Sequence, residues 1–272
     1  MKKVFLVLGV SLIGFSSFFT SCSKPKVETT QSKPAASTMN GNVSVNMTNS
    51  EYIAAMENLG IVHNACMDYM KEQVQHLVNL NMTPTTKAEF DQMLLLPMQH
   101  FMQVNGYDVN NLSSFQLAND YDQSQLSPEA AEIMSDFKSV MEKYGEDEIG
   151  QDQFVDAISA LQQRSYNLMG DEKFIIGAAV TVGKHSTLYW EQNLSTYGTL
   201  DINNAQKMSP SQKAVGYADV VGAVKGGWTG AGGGPVGLIL GAAGGAVCNS
   251  FATAILIGPL KDKFGWISDF FG

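Results

Sequence analysis

Glycine recurs at four-residue steps through one long and nearly uncharged stretch, and this pattern limits the folds that are open to the chain. Half of the chain's 26 glycines lie between Ala214 and Gly258, where the only charged residues are Asp219 and Lys225. Residues four apart share one face of a helix, so glycine at this spacing predicts a flat groove into which another backbone can pack closely. The glycines expected to contact another helix or a membrane are Gly222, Gly226, Gly230, Gly233, Gly237, Gly241 and Gly245.

Glycine in a soluble helix needs compensation, because each one costs about 0.8–1 kcal/mol relative to alanine. Three interpretations of this stretch stay open: a helical hairpin in or on a membrane, close-packed helices in a soluble core, and a flexible tail. The uncharged run 236–257 just reaches the length that spans a bilayer. It also contains Asn249, Ser250 and Thr253, which weakens the membrane interpretation.

Over residues 214–258, the spacing resembles glycine-zipper hairpins and, more loosely, the GxxxG-bearing helices of two-peptide bacteriocins. In those families the helices pair inside a bilayer and form a pore or a membrane anchor. The resemblance therefore implies a helical hairpin at the C-terminal end and an activity on membranes.

The first residues have the layout of a secretory signal. Lys2 and Lys3 precede an uncharged apolar run from Val4 to Phe19, which is too short and wrongly flanked for a stable membrane span. Residues 19–22 (Phe-Thr-Ser-Cys) resemble a lipobox, although Phe19 stands where that motif prefers leucine. The resemblance implies cleavage before Cys22 and acylation of its thiol and amine. The alternative is a plain signal peptide with an incidental cysteine.

A polar segment follows the predicted lipid. Residues 22–47 contain no aromatic side chain and few large apolar ones, so they cannot bury enough surface to offset the entropy cost of ordering. We expect a disordered tether. The residues after Cys22 lack the acidic cluster associated with surface export in Bacteroidota-like lipoproteins. This favours a periplasm-facing lipoprotein, in the outer membrane rather than the inner one.

The sequence between the tether and the glycine-rich region predicts an all-α fold, a bundle of five or six helices followed by a glycine-rich helical hairpin. Thr48 with Glu51 forms a capping box, and Ser127 followed by Pro128 begins a later helix that Gly145 ends. Further helices are predicted over 87–104, with a possible bend at Pro97, over 153–169, and from just after Asp171 to about Leu194. The predicted domains are a signal peptide (1–21), a lipidated tether (22–47), a helical domain (48–205) and a glycine-rich apolar region (206–272).

The sequence carries few signs of catalysis or ligand binding. His63 and Cys66 are three apart on a helix, but no second cluster completes a metal site. His185 and Tyr189 share a face that Glu191 does not. No familiar nucleophile, phosphate-binding or zinc pattern occurs, so we expect no cofactor, no metal and no enzyme activity. Loss of Lys2 and Lys3 with the signal takes the formal net charge from −9 to −11, which argues against nucleic acid as a partner.

Two short segments, NLGIVHNACMDY at 58–69 and STLYW at 186–190, resemble uncharacterised exported helical proteins of Bacteroidota type. That resemblance implies no known activity. The sequence as a whole favours a non-catalytic, lipid-anchored envelope protein that binds or scaffolds a protein partner in the envelope. The alternative is a membrane-inserting or pore-forming protein that acts through residues 214–258. Whether Cys66 and Cys248 form a disulfide stays open, because sequence alone does not place their Cα atoms.

Overall fold

α-Helices make up almost all of the regular structure in the computed structural model, which describes residues 47–107, 109, 120–193 and 210–257, with side chains from 213 to 255 in the last range. No β-strand occurs in these ranges, so the prediction of an all-α fold is confirmed. The predicted signal peptide, Cys22 and the tether up to residue 46 lie outside the described residues. The same holds for 194–209 and for the chain after Ile257.

Seven α-helices occur in the described part of the chain. In chain order they are α1 (Asn49–Asn79), α2 (Lys87–Val104), α3 (Pro128–Gly145), α4 (Gln151–Tyr166), α5 (Glu172–Asn193), α6 (Pro210–Gly230) and α7 (Gly234–Ile257). Short 3₁₀ turns cover Gln123–Gln125 and Ala231–Gly233. Five helices therefore precede residue 205 within the described ranges.

Local capping chemistry places several helix ends where the sequence predicts them. The Thr48 hydroxyl accepts from the Glu51 amide at 3.3 Å, and the Glu51 carboxylate accepts from the Thr48 amide at 2.8 Å, which completes the capping box. The Ser127 hydroxyl accepts from the Ala130 amide at 3.3 Å, with Pro128 at the first helical position. These two predictions are confirmed, as are the bounds of α2, which continues through Pro97.

The predicted bounds of α4 are wrong by two to three residues at each end. The helix begins after Gly150, which has no capping side chain, and the Gln153 side chain accepts from the Gly150 amide at 3.0 Å instead. It ends at Tyr166 with Asn167 as the C-cap, and a turn that contains Gly170 in the left-handed region, with φ of 60°, leads into α5. Glycine at the N-cap gave the sequence no side-chain signal for the helix start.

Helix α5 lies at the centre of the bundle and is buried on most of its circumference. Helices α1, α3, α4, α6 and α7 all pack against it. Glycine permits two of these close approaches: the space of a side chain at Gly177 is filled by the Tyr52 hydroxyl, and that at Gly183 by the Phe137 ring. Helix α6 packs along α5, while α7 contacts α6, α5, α1 and α2.

Candidate functional site: a glycine interface and a buried carboxylate

Helices α6 and α7 meet through glycines on both sides. A methyl group built on Gly222, Gly226 or Gly230 would lie closer than 3.0 Å to the carbonyl oxygen of the glycine opposite it on α7. The converse holds for Gly237, Gly241 and Gly245, whose partners are Gly230, Gly226 and Gly222 in that order. The two helices therefore run in opposite directions, and each backbone occupies the groove that the missing side chains leave on the other.

Gly233 is the one glycine of the predicted set that lies outside this interface. It is exposed in the 3₁₀ turn between the two helices. The next residue, Gly234, has a φ of 64°, a conformation that favours glycine, and it reverses the chain direction into α7. The turn and the six interface glycines together bring α6 and α7 side by side.

The apolar stretch is turned into the bundle. Residues Lys213–Ile255 include a segment long and apolar enough to cross a membrane, and 94% of the side chains in its most apolar window are buried. The core helix of a soluble protein passes the same test of length and composition. Of the three interpretations of the sequence, the arrangement of the described residues corresponds to close-packed helices in a core.

One carboxylate is buried between this helix pair and the rest of the bundle. Asp219 of α6 is fully buried, and its Oδ1 lies 3.0 Å from His63 Nε2 of α1. Its Oδ2 accepts from the Ser186 hydroxyl and, at 3.2 Å, from the Trp190 indole nitrogen, both of α5. We call Asp219, His63, Ser186 and Trp190 the Asp219 cluster. All four side chains have 0% exposure.

Hydrogen bonding favours the protonated form of His63. The Asn64 amide nitrogen donates to the carbonyl oxygen of His185 at 3.3 Å, so the Asn64 side-chain oxygen faces His63 Nδ1 at 3.0 Å as an acceptor. Because Nε2 faces the Asp219 carboxylate, both ring nitrogens have an acceptor opposite them, which favours the imidazolium. Burial lowers the pKa of His63, but the Asp219 charge and the hydrogen bonds raise it by more, so the net pKa is above its ordinary value.

A second polar cluster lies one to two turns earlier along α1. Glu57 accepts from the Lys184 ammonium, from His185 Nε2 at 2.9 Å and from the Gln162 amide at 2.7 Å. Burial raises the pKa of Glu57, whereas the donors from His185, Lys184 and Gln162 lower it, to a net value of about 2. The His185 ring fills the space that a side chain at Gly60 would need. This cluster ties α1 to α4 and α5.

The residues singled out for chemistry are separated by these contacts. His185 bonds Glu57, whereas Tyr189 donates to Asp68 at 2.7 Å and Glu191 accepts from Tyr144 at 2.8 Å. His63 Nε2 bonds Asp219 and does not form a pair of metal ligands with Cys66. Within the described ranges, no three His, Cys, Asp or Glu side chains are grouped so that they hold a metal ion.

The order of the Asp219 cluster differs from that of a nucleophile and its base. In a hydrolytic triad the imidazole stands between the hydroxyl and the carboxylate, so that it can take the hydroxyl proton. Here the carboxylate of Asp219 stands between Ser186 and His63. Its full burial also keeps these groups from water. The arrangement fits the neutralisation of a buried charge by directed donors.

Cys66 and Cys248 are both unpaired and fully buried, on α1 and α7 respectively. Burial alone raises the pKa of the Cys66 thiol well above its ordinary value. Both cysteines therefore behave as small apolar core residues in this conformation.

The meeting of the four residues of the Asp219 cluster was not predicted from the sequence. The available signal was a single carboxylate in an otherwise apolar stretch, because such a charge needs a partner when it is buried. Its partner His63 lies 156 positions away, a separation at which no periodicity connects two residues.

Comparisons with protein-family models, with curated proteins and with solved structures find no match for this chain. The class that the fold defines is an all-α helical bundle.

Proposed function

We propose that the chain is a non-catalytic, lipid-anchored envelope protein whose helical body binds or scaffolds another envelope component. The observation that carries this proposal is the inward orientation of the apolar stretch. With 94% of its most apolar window buried in the bundle, the stretch offers little surface to a bilayer. Attachment to a membrane then falls to the acyl chains predicted on Cys22, and two or more chains are needed for a stable anchor.

The surface chemistry of the bundle supports a protein partner. Glu146, Asp147 and Glu148 are exposed together after the end of α3, and the mature chain would carry a formal net charge of −11. An acidic surface is repelled by nucleic acid and by anionic headgroups. A basic or neutral protein surface of the envelope suits it better.

The polar groups of the interior support a structural role. Asp219 and Glu57 each have three donors, and these come from neighbouring helices of the same chain. Such pairs fix the relative position of the helices. A scaffold needs this kind of defined shape.

Metabolic labelling with palmitate tests the anchor. We expect label on the wild-type protein and none on the Cys22→Ala variant, while Cys66→Ala retains the label and serves as the matched control. Equal labelling of wild type and Cys22→Ala would contradict the proposal.

A second candidate function is insertion of α6 and α7 into a bilayer, and the glycine interface favours it. The contacts of Gly222, Gly226 and Gly230 are with the partner helix, so the pair can keep this interface after leaving the bundle. Interfaces of this kind are typical of helices in membranes, where small residues let backbones approach. Leakage of a dye from liposomes exposed to the protein without signal or lipid tests the insertion. Absence of leakage, together with full solubility without detergent, would contradict it.

A further inference from the structure

We propose that the Asp219 cluster is a latch, whose opening lets α6 and α7 leave the bundle as one unit. This inference rests on the second candidate function, for which it supplies the control point. It concerns the step before any contact with lipid, so it can be tested without a membrane.

The helix pair makes contacts of one kind within itself and of another kind towards the rest of the bundle. Within the pair, the glycine backbones interlock and the Asn249 amide of α7 donates to the Ala218 carbonyl of α6 at 2.7 Å. Towards the other helices, α6 and α7 present mainly apolar side chains. The polar contacts that leave the pair besides those of Asp219 include Tyr217 with Asp120, Lys213 with Glu146 at 3.9 Å and Ser250 with the Met67 sulfur at 3.5 Å, and none of them holds a fully buried charge. The Asp219 carboxylate is the fully buried charge through which α6 bonds to α1 and α5.

The contact of Asp219 with α1 and α5 is cooperative. Removal of Asp219 leaves an imidazolium, a hydroxyl and an indole N–H buried without their acceptor, and an unsatisfied buried donor costs far more than its bond contributes. The same holds in reverse, because loss of His63 leaves a buried carboxylate without its counter-charge. The polar contact of Asp219 with α1 and α5 is therefore intact or lost as a whole.

The position of the Asp219 cluster in the chain favours transfer of the released pair to an apolar phase. Asp219 is the only acidic residue between Ala214 and Gly258, and no charged residue lies between Lys225 and Lys261. When the cluster opens, the pair has the Asp219 carboxylate to solvate in addition to the Lys225 ammonium, and a largely apolar surface with few polar side chains. This combination favours transfer to an apolar phase over exposure to water.

The two buried cysteines report the opening. Cys66 on α1 and Cys248 on α7 are both at 0% exposure, so a thiol reagent modifies them only when the helices separate. In the chain from residue 22 with Cys22→Ala, these two are the only thiols. Labelling rates are read for each cysteine by mass spectrometry, and helix content is followed by far-ultraviolet circular dichroism.

We compare this reference chain with two variants, Asp219→Ala and His63→Gln. The second variant leaves the sequences of α6 and α7 unchanged. Both variants are expected to label Cys248 and Cys66 faster than the reference, on the order of tenfold or more, with helix content retained. Asp68→Ala is the matched control, because it removes a carboxylate that accepts a hydrogen bond from Tyr189 of α5. Its labelling rate should stay near that of the reference.

If both cluster variants were labelled at the rate of Asp68→Ala, the latch would be overturned. Loss of helix content in both variants would also overturn it, because the helix pair would then unfold with the bundle rather than leave it. Binding to phosphatidylcholine vesicles is measured on the same samples. Rapid labelling without vesicle binding would support the latch and contradict membrane insertion, which separates the two failures.

Discussion

Two carboxylates at the residue scale show how the bundle accommodates buried charge. Glu57 is half-buried and is held by donors from α4 and α5, whereas Asp219 is fully buried and faces an imidazolium. In both cases the donors come from other helices, so each carboxylate reports the integrity of the tertiary structure. The pH dependence of unfolding should therefore differ between them in sign and in range.

Replacement of Glu57 by Gln should remove an acid-sensitive part of the stability. The pKa of Glu57 is about 2 in the folded chain, against an ordinary value of 4.5. Its contribution is present above pH 4.5 and is lost as the pH falls towards about 2. Urea unfolding as a function of pH should show wild type and Glu57→Gln converging over this interval. A difference that does not change with pH would contradict the assignment, and Glu72→Gln, exposed on the same helix, is the control.

His63 should give the opposite dependence. Its folded-state pKa is raised above 6.5, so its contribution to the free energy of unfolding is complete below that pH and is lost as the pH rises through the folded value. The destabilisation of His63→Gln relative to wild type should therefore be larger in mild acid than in alkali. His76→Gln changes an exposed histidine on the same helix and is the control. A destabilisation that grows with pH would contradict the imidazolium.

At the scale of the element, the helix ends that the sequence predicts correctly are those that depend on capping by neighbouring residues. The Thr48–Glu51 box and the Ser127–Pro128 start require only neighbouring residues, so both ends were correctly placed. The start of α4 was not, because Gly150 has no side chain with which to cap it. The partners of Asp219 and Glu57 lie on other helices, and which helices meet depends on how the whole bundle packs.

The α6–α7 interface makes a clear prediction for a single methyl group. At Gly241 the added Cβ would overlap the backbone of Gly226, which cannot move without separating the helices. Gly241→Ala should lower the stability by about 1–3 kcal/mol, although alanine is the better helix former. With roughly 2–4 °C per kcal/mol for a domain of this size, calorimetry should record a clear fall in Tm.

Gly232→Ala is the matched control for this change. Gly232 is exposed in the 3₁₀ turn between the same two helices, and an added Cβ meets no atom within 4 Å. Its Tm should stay close to that of wild type. Equal effects of the two substitutions would mean that the glycines do not form a tight interface in solution.

At the scale of the whole molecule, the most apolar part of the sequence is used inside the bundle. The composition of residues 214–258 left a membrane hairpin, a core and a flexible tail open. In the described residues, α6 and α7 place six glycines against each other and larger side chains against α1, α2 and α5, as close-packed core helices do. This arrangement leaves membrane attachment to the predicted lipid on Cys22, which is the central claim of our account.

Detergent-phase partitioning tests that claim most directly. Wild-type protein, expressed with its full sequence, is compared with the chain from residue 22 that carries Cys22→Ala and has neither the predicted signal nor the predicted lipid. We predict that the wild type enters the detergent phase and that the unlipidated chain stays in the aqueous phase, because its apolar helices are covered by the bundle. Partitioning of the unlipidated chain into detergent would contradict the account.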